Sequence, residues 1–180
     1  IQGFFDIPTD NLFAAPVFIE DIKKRFDRKN LTIVSPDVGG VVRARAIAKR
    51  VDCDLAIIDK RREKAGISEV MNVIGEVKNK NCILVDDICD TAGTLTNAAS
   101  ALKKNGAKSI FSYITHGVLS KPAIERIEAS TIDKIIITDS ILATDEVKQS
   151  QKIEQLSIAS LIGEAIGRIT ENKSVSSLFA

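Results

Sequence analysis

The sequence has few cysteines and histidines, the residues that bind zinc or form disulfides. Its 180 residues include three cysteines and one histidine, His116. The cysteines are Cys53, Cys82 and Cys89, and they show neither CxxC spacing nor pairing with a histidine. This pattern argues against a zinc site and against a disulfide framework. A reducing compartment fits the cysteine usage best, and we expect a cytoplasmic protein.

The sequence also has almost no charge imbalance, few aromatic residues and no long apolar run. Lysine and arginine number 25 against 24 aspartate and glutamate, which gives a net charge of +1, and there is one Tyr and no Trp. No apolar run approaches the roughly 18 residues of a transmembrane helix, and the amino end resembles no secretory signal. We therefore expect no membrane association and no nucleic-acid partner, because the one basic segment carries no interleaved aromatic residues.

The length and the apolar content favour one compact domain. Hydrophobic residues make up 44% of the 180, enough to bury a full core at this size. No linker or low-complexity segment interrupts residues 31–172. We predict a single domain over residues 1–180.

From Leu31 onward, short aliphatic runs alternate with amphipathic stretches, which is the rhythm of a parallel α/β sheet. The pattern predicts a loop and a helix over residues 1–30. It predicts strands at 31–34, 55–58, 70–77, 82–85, 109–115 and 134–138, and helices at 41–51, 95–105, 122–129 and 158–170. In such sheets ligands bind beyond the carboxyl ends of the strands.

One segment after a predicted buried strand combines two acids with a turn of small residues. Free backbone N–H groups at the start of a helix attract phosphate, small residues let it approach, and threonine hydroxyls add donors. The segment therefore predicts a phosphate cradle, preceded by two acids that sugar hydroxyls or a divalent metal would satisfy. The acids are Asp86 and Asp87, and the cradle is Asp90, Thr91, Ala92, Gly93 and Thr94. The alternative is structural: Asp86 or Asp87 caps a turn and Thr94 caps the helix.

A second candidate loop follows the first predicted strand. Asp37, Val38, Gly39 and Gly40 join a carboxylate to a paired-glycine turn, which predicts an anion nest with an acid suited to Mg²⁺. The alternative is an ordinary tight turn. In the helix that follows, we interpret Arg43 and Arg45 as surface or packing charges rather than as ligands.

A basic segment, KRREK at residues 60–64, follows the second predicted strand. A flexible basic loop there would close over a polyphosphate and stabilise the charge that develops during transfer. Lys60 and Arg62 would project to the same side of an extended segment. The alternative is a solvated charged surface. We interpret His116 as a structural residue or secondary contact, and Cys89 as a packing residue.

The motifs together resemble a known family. VDDICDTAGT at residues 85–94 resembles the phosphoribosyl-diphosphate-binding fingerprint of the type I phosphoribosyltransferase fold. GFFDIPTDNL at 3–12, VSPDVGGVVRARAIAK at 34–49 and IIDKRREKA at 57–65 are similar to ribose-phosphate diphosphokinases. The similarity continues through ITHGVLS at 114–120 to SVSSLF at 174–179.

This resemblance implies that the diphosphoryl group of ATP is transferred to the 1-hydroxyl of ribose 5-phosphate, with Mg²⁺. It implies that residues 90–94 hold the 5-phosphate and that Asp86 and Asp87 hold the ribose hydroxyls. Asp37 would bind the metal, and residues 38–40 would receive the diphosphate. Lys60 and Arg62 match the pair that stabilises the transition state in the family.

Two features depart from the family. Ala92 stands where many members have Gly, and a methyl group is tolerated there if the backbone has a negative φ. Members are also longer, with two similar domains, so the resemblance implies that these residues are the carboxyl-terminal half. The family's ATP contacts and a metal-binding histidine precede this part, and we expect the 180 residues to be incomplete for ATP binding. The family forms hexamers, and we expect a homo-oligomer.

Two rival functions remain from the sequence. A phosphoribosyltransferase that consumes phosphoribosyl diphosphate with a nucleobase would share the cradle, but the DKRREKA and GFFDIP segments are foreign to it. A non-catalytic regulatory subunit associated with a synthetase would keep the fold without the chemistry. Retention of Asp37, Lys60 and Arg62 argues against the second rival.

Overall fold

A central sheet organises the computed structural model, which describes residues 2–61 and 70–179. Its seven strands lie in the order β3-β2-β1-β4-β5-β6-β7. Neighbouring strands are parallel except β2 and β3, which are antiparallel. The strands are β1 (Leu31–Ser35), β2 (Asp54–Arg61), β3 (Val70–Ile74), β4 (Asn81–Cys89), β5 (Ser109–Gly117), β6 (Lys134–Thr138) and β7 (Ile153–Leu156).

The helices begin and end where the sequence provides local signals. Pro16 lies in the first turn of α1, where its missing N–H has no intrahelical partner to lose. Gly106, with φ of 85°, follows the end of α3. The helices are α1 (Ala15–Arg25), α2 (Val41–Val51), α3 (Gly93–Lys104), α4 (Ala123–Ala129), α5 (Asp145–Gln149) and α6 (Ala159–Thr170), with 3₁₀ turns at Arg28–Asn30 and Ser176–Phe179.

Both faces of the sheet are covered. In β4, Cys82 and Leu84 pack into one hydrophobic cluster, whereas Ile83 and Val85 pack into a second. The first cluster includes side chains of α3, α4 and α5, and the second includes side chains of α1 and α2. A strand buried on both faces is continuously apolar, which is why the run in β4 could be recognised from the sequence.

The connections after β1 and β4 leave on opposite faces of the sheet. Helix α2, which follows β1, packs into one cluster, and α3, which follows β4, packs into the other. The two strands are adjacent and parallel. A crevice therefore opens at their carboxyl ends, the usual ligand position in open α/β sheets.

Several predicted boundaries were wrong. The strand predicted at 82–85 runs through Asp86 and Asp87 to Cys89, because the long β5 continues to pair with it as far as Gly117. The strand predicted at 55–58 extends to Arg61, because β3 pairs with its outer edge. The sheet is also not wholly parallel. The sequence analysis missed α5 and β7, which are too short to show a clear period.

None of the helices in the described ranges combines the length and the apolar character that crossing a bilayer requires.

Candidate active site

A cleft at the carboxyl ends of β1 and β4 brings together residues from two separate segments. It encloses about 220 Å³. The predicted site residues that line it are Asp37, Asp86, Asp90, Thr91, Ala92 and Thr94. The topology thus places the metal candidate Asp37 beside the predicted phosphate cradle, although more than fifty positions of sequence separate them in the chain.

The cradle leads directly into α3. No side chain in the described structure caps the amino end of this helix, so the alternative in which Thr94 is the cap is wrong. Thr94 lies instead in the first turn. An uncapped first turn presents backbone N–H groups and the positive end of the helix dipole to the cleft. The local structure can accept an anion.

Ala92 does not meet the condition under which a methyl group is readily tolerated in the cradle. Its φ is 60° and its ψ is 4°, which is the left-handed conformation and not a negative φ. Its methyl group is buried, with 4% of the residue exposed. Two donors brace the turn on either side: Thr96 Oγ1 donates to the Ala92 carbonyl at 3.0 Å and Arg126 Nη1 donates to the Thr91 carbonyl at 3.0 Å. Packing and hydrogen bonds hold a conformation that alanine does not favour.

Asp37 shapes its own loop. The Gly40 N–H donates to Asp37 Oδ1 at 2.9 Å, and Ser35 Oγ donates to the Asp37 carbonyl oxygen at 2.7 Å. A Cβ at Gly40 would lie 2.8 Å from Ser35 Oγ, so a side chain there would displace the hydroxyl that bonds to Asp37. The loop contains Val38 and Gly39 between these contacts, and Val38 is exposed. The carboxylate is therefore held at the mouth of the cleft.

Arg43 forms ion pairs with both predicted acids, contacts that its interpretation as a surface or packing charge did not include. Its Nη1 lies 2.9 Å from Asp86 Oδ1, and its Nη2 lies 2.9 Å from Asp87 Oδ2. The predicted acid pair thus has a shared counter-charge. Arg45, two residues further along the same helix, is exposed, as expected.

The two acids differ in their proton affinity. Burial raises the pKa of Asp86, and a side-chain hydrogen bond with Asp87 and the Asp87 charge add to this effect, whereas the Asp87 backbone N–H and the Arg43 guanidinium oppose it. Partial burial acts in the same direction on Asp87, but the hydrogen bond with Asp86 and the Arg43 guanidinium outweigh it and lower the pKa of Asp87. Asp87 is thus the acid of the pair that keeps its charge more readily.

The basic segment is described only in part. Lys60 lies in β2, opposite Met71 of β3, so it belongs to a strand rather than to a loop. Its side chain is half-buried. Arg62 and the rest of the predicted flexible loop lie outside the described residues.

Two further candidates occupy structural positions. His116 Nδ1 lies 2.9 Å from Ser140 Oγ, at the end of β5. Cys89 is buried, and burial raises the pKa of its thiol to about 11. Its interpretation as a packing residue agrees with this burial.

The sequence analysis missed two arginines at the site, Arg43 and Arg126. Arg43 precedes its acid partners by more than forty residues and Arg126 follows Thr91 by 35, so neither pairing has a local signal. For Arg43, its position one turn after the Gly39–Gly40 pair was a usable hint, because side chains in the first turn of a helix lie near the loop that precedes it.

Comparisons with known proteins agree with this geometry. A curated ribose-phosphate pyrophosphokinase from Granulibacter bethesdensis is 63% identical over 179 residues, which are 99% of this chain and 58% of that protein. The crystal structure of phosphoribosylpyrophosphate synthetase from Mycobacterium smegmatis superimposes with a TM-score of 0.85 at 36% identity, covering 95% of this chain and 55% of that one. This chain thus spans little more than half the length of these relatives.

A more distant likeness concerns the fold alone. The orotate phosphoribosyltransferase of Aeropyrum pernix has a TM-score of 0.52 at 14% identity, covering 86% of this chain and 75% of that one. The predicted parallel α/β fold of the type I phosphoribosyltransferase kind is confirmed, apart from the antiparallel strand β3.

A sequence-family profile described as the phosphoribosyl synthetase-associated domain matches residues 60–180, which include the cradle, both acids and Lys60. The chain belongs to the phosphoribosyl synthetase-associated family.

Proposed function

We propose that the natural protein containing this chain is a ribose-phosphate diphosphokinase. The 1-hydroxyl oxygen of ribose 5-phosphate attacks the β-phosphorus of ATP, and the bond from that phosphorus to the α,β-bridging oxygen breaks. The products are phosphoribosyl diphosphate and AMP, and the hydroxyl proton is released. The observation that carries the proposal is the cleft of about 220 Å³ that joins Asp37 to the Asp86–Thr94 segment.

The acceptor, ribose 5-phosphate, would bind along β4 and the start of α3. Its phosphate is assigned to Asp90, Thr91, Ala92, Gly93 and Thr94, where the uncapped helix presents N–H donors. Its hydroxyl groups are assigned to Asp86 and Asp87, since carboxylates accept hydrogen bonds from hydroxyls.

Mg²⁺ suits the chemistry of the cleft. In the described ranges, no group of three or more His, Cys, Asp and Glu side chains is arranged to hold a metal ion. We propose that Asp37 holds Mg²⁺ together with substrate phosphate oxygens, an arrangement that Mg²⁺ commonly adopts. The ion would neutralise phosphate charge, while the loop of Val38, Gly39 and Gly40 receives the transferred diphosphate. Of these three, the Gly40 N–H already serves Asp37.

Lys60 and Arg62 are proposed to stabilise the charge that develops on the transferred group. Phosphoryl transfer needs positioning and electrostatic stabilisation rather than a covalent protein intermediate. Strand β2, which contains Lys60, pairs with β1, and the carboxyl end of β1 leads to Asp37. Arg62 follows two residues later in the sequence.

ATP and partner subunits would need residues beyond those that form the cleft. We propose that residues 1–180 form one domain, that ATP binding is incomplete within it, and that the natural protein is a cytoplasmic homo-oligomer of the hexameric type. An exposed apolar patch supports the assembly, since large exposed patches mark interaction sites. The patch consists of Phe5, Ile7, Ile162, Ile166 and Ile169.

The test is formation of phosphoribosyl diphosphate from ATP and ribose 5-phosphate by the natural protein. Lys60→Ala should lower kcat by about 10²–10³, the usual effect of removing a donor that acts on transition-state charge, while ribose 5-phosphate affinity changes little. Ser100→Ala, on an exposed turn of α3, serves as the control and should leave both unchanged.

The rivals predict different results. A phosphoribosyltransferase would consume phosphoribosyl diphosphate when a nucleobase is supplied and would not use ATP. A non-catalytic subunit would form no product in either assay. Either result would overturn the proposal, as would full turnover by Lys60→Ala.

A further inference from the structure

Arg43 contacts two carboxylates at once. Its Nη1 pairs with Asp86 Oδ1 and its Nη2 with Asp87 Oδ2, each at 2.9 Å. Asp86 Oδ1 also accepts the Asp87 N–H at 3.0 Å. A planar guanidinium can divide its donors between two acids in a fixed geometry, whereas an ammonium group is a single point charge.

The contact of one arginine with both acids is unusual because the two acids are neighbours in a strand. Asp86 and Asp87 are consecutive residues of β4, and consecutive side chains of a strand point to opposite faces of the sheet. Here both carboxylates meet one guanidinium. One guanidinium thus bridges the carboxylates of two consecutive strand residues.

Helix α2 places the guanidinium between the two loops of the cleft. Arg43 is the third residue of α2, directly after the Asp37–Gly40 loop. A Cβ built on Gly40 would lie 3.7 Å from Arg43 Nη1. The side chain thus starts in the first turn of α2, passes close to Gly40 of the proposed diphosphate loop and ends on the proposed acceptor acids.

The local charge favours a permanent counter-ion. Asp37, Asp86 and Asp90 line one cleft, and an acceptor phosphate would add further negative charge. The Arg43 side chain is 36% exposed and Asp86 is 22% exposed, so water screens their interaction only in part.

We propose that Arg43 is a positioning residue that holds Asp86 and Asp87 side by side to accept the hydroxyl groups of ribose 5-phosphate. This inference rests on the proposed function. Arg43 acts through the acids and does not bind the acceptor phosphate, which lies with residues 90–94. Its removal therefore affects the sugar part of the ligand and spares the phosphate part.

The experiment compares two ligands by calorimetry on the natural protein: ribose 5-phosphate and inorganic phosphate. Arg43→Met should weaken ribose 5-phosphate binding by about 10–100-fold, the usual cost of removing a group that orients a ligating side chain, with phosphate affinity kept within about twofold. Arg43→Lys should recover only part of the loss. Arg45→Met removes an exposed charge from the same helix and should bind both ligands as the parent does.

Three results would overturn the positioning role. Unchanged ribose 5-phosphate affinity in Arg43→Met would show that the acids need no orientation, and increased affinity would show that Arg43 competes with the sugar. Equal weakening of both ligands would show a general loss of site structure. The parent protein is measured first. If it fails to bind ribose 5-phosphate, that result overturns the proposed function itself, before any variant is compared.

Discussion

Arg126 donates a hydrogen bond through Nη1 to the carbonyl oxygen of Thr91, at 3.0 Å. Arg126 belongs to α4 and Thr91 to the turn before α3, so the bond ties the cradle to the next helix of the same sheet face. A Cβ on Gly93 would lie 3.6 Å from the same nitrogen. The bond fixes the Thr91 carbonyl within the cradle turn.

We expect Arg126→Met to weaken the binding of ribose 5-phosphate. One such hydrogen bond contributes about 1 kcal/mol, which corresponds to about fivefold in Kd. Lys103→Met, at the far end of α3, removes the same charge and is the control. Calorimetry on the natural protein measures both. Equal weakening by the two variants would indicate net charge rather than the Thr91 contact.

The sequence predicted those features of the site that depend on local sequence patterns. The apolar run of β4, the helix after Gly40 and the meeting of Asp37 with the 86–94 segment all follow from strand and helix periods and from the rule that ligands bind at the carboxyl ends of parallel strands. The ion pairs of Arg43 depend on tertiary packing between α2 and β4, and no local pattern encodes them. The left-handed Ala92 is held against its intrinsic preference by burial and by Thr96.

Ala92→Gly tests this balance of effects at the cradle. Relief of the left-handed conformation should stabilise by about 1–2 kcal/mol. Loss of a buried methyl group costs about 0.8 kcal/mol, and the greater unfolded-state freedom of glycine costs about 0.5–1 kcal/mol. We therefore expect the free energy of unfolding, from urea titration, to change by less than about 1 kcal/mol. A larger gain would mean that the Ala92 methyl group contributes nothing to packing.

Gly75 should tolerate no side chain. It follows β3 with φ of 116°, and a Cβ there would lie 2.8 Å from the Leu55 carbonyl oxygen and 2.9 Å from Ala56 Cα. Both obstacles are backbone atoms of β2, the strand that pairs with β3. We therefore expect Gly75→Ala to lower the free energy of unfolding by about 2–5 kcal/mol.

The control for this variant is Gly163→Ala in α6, where a Cβ meets nothing within 4 Å. Alanine is the better helix former there, so we expect stabilisation by about 0.5–1 kcal/mol. Chemical denaturation of both variants checks the pair. A stability loss in Gly75→Ala no larger than the change in the control would contradict the close approach of the two strands.

We expect the contribution of Tyr113 to the free energy of unfolding to depend on pH. Its hydroxyl donates to Asp21 Oδ2 at 2.6 Å, and Asp21 also pairs with Arg25 Nε at 2.8 Å. Tyr113→Phe keeps the edge-to-face contact with Phe18. Loss of the bond to a charged acceptor should lower the free energy of unfolding by about 1.5–3 kcal/mol at neutral pH.

The same tyrosine should lose its contribution at alkaline pH. Burial raises the pKa of Tyr113 in the folded protein, and the hydrogen bond to the Asp21 carboxylate adds to this. In the unfolded chain the phenol titrates near pH 10, so above that pH the unfolded state releases a proton that the folded state keeps, and stability falls as pH rises. The difference in stability between the parent and Tyr113→Phe should therefore shrink above about pH 10. Because the sequence has a single Tyr, tyrosinate absorbance reports this residue alone and should appear only as the parent unfolds. Ionisation in the folded protein near pH 10 would show that the phenol is neither buried nor bonded to Asp21.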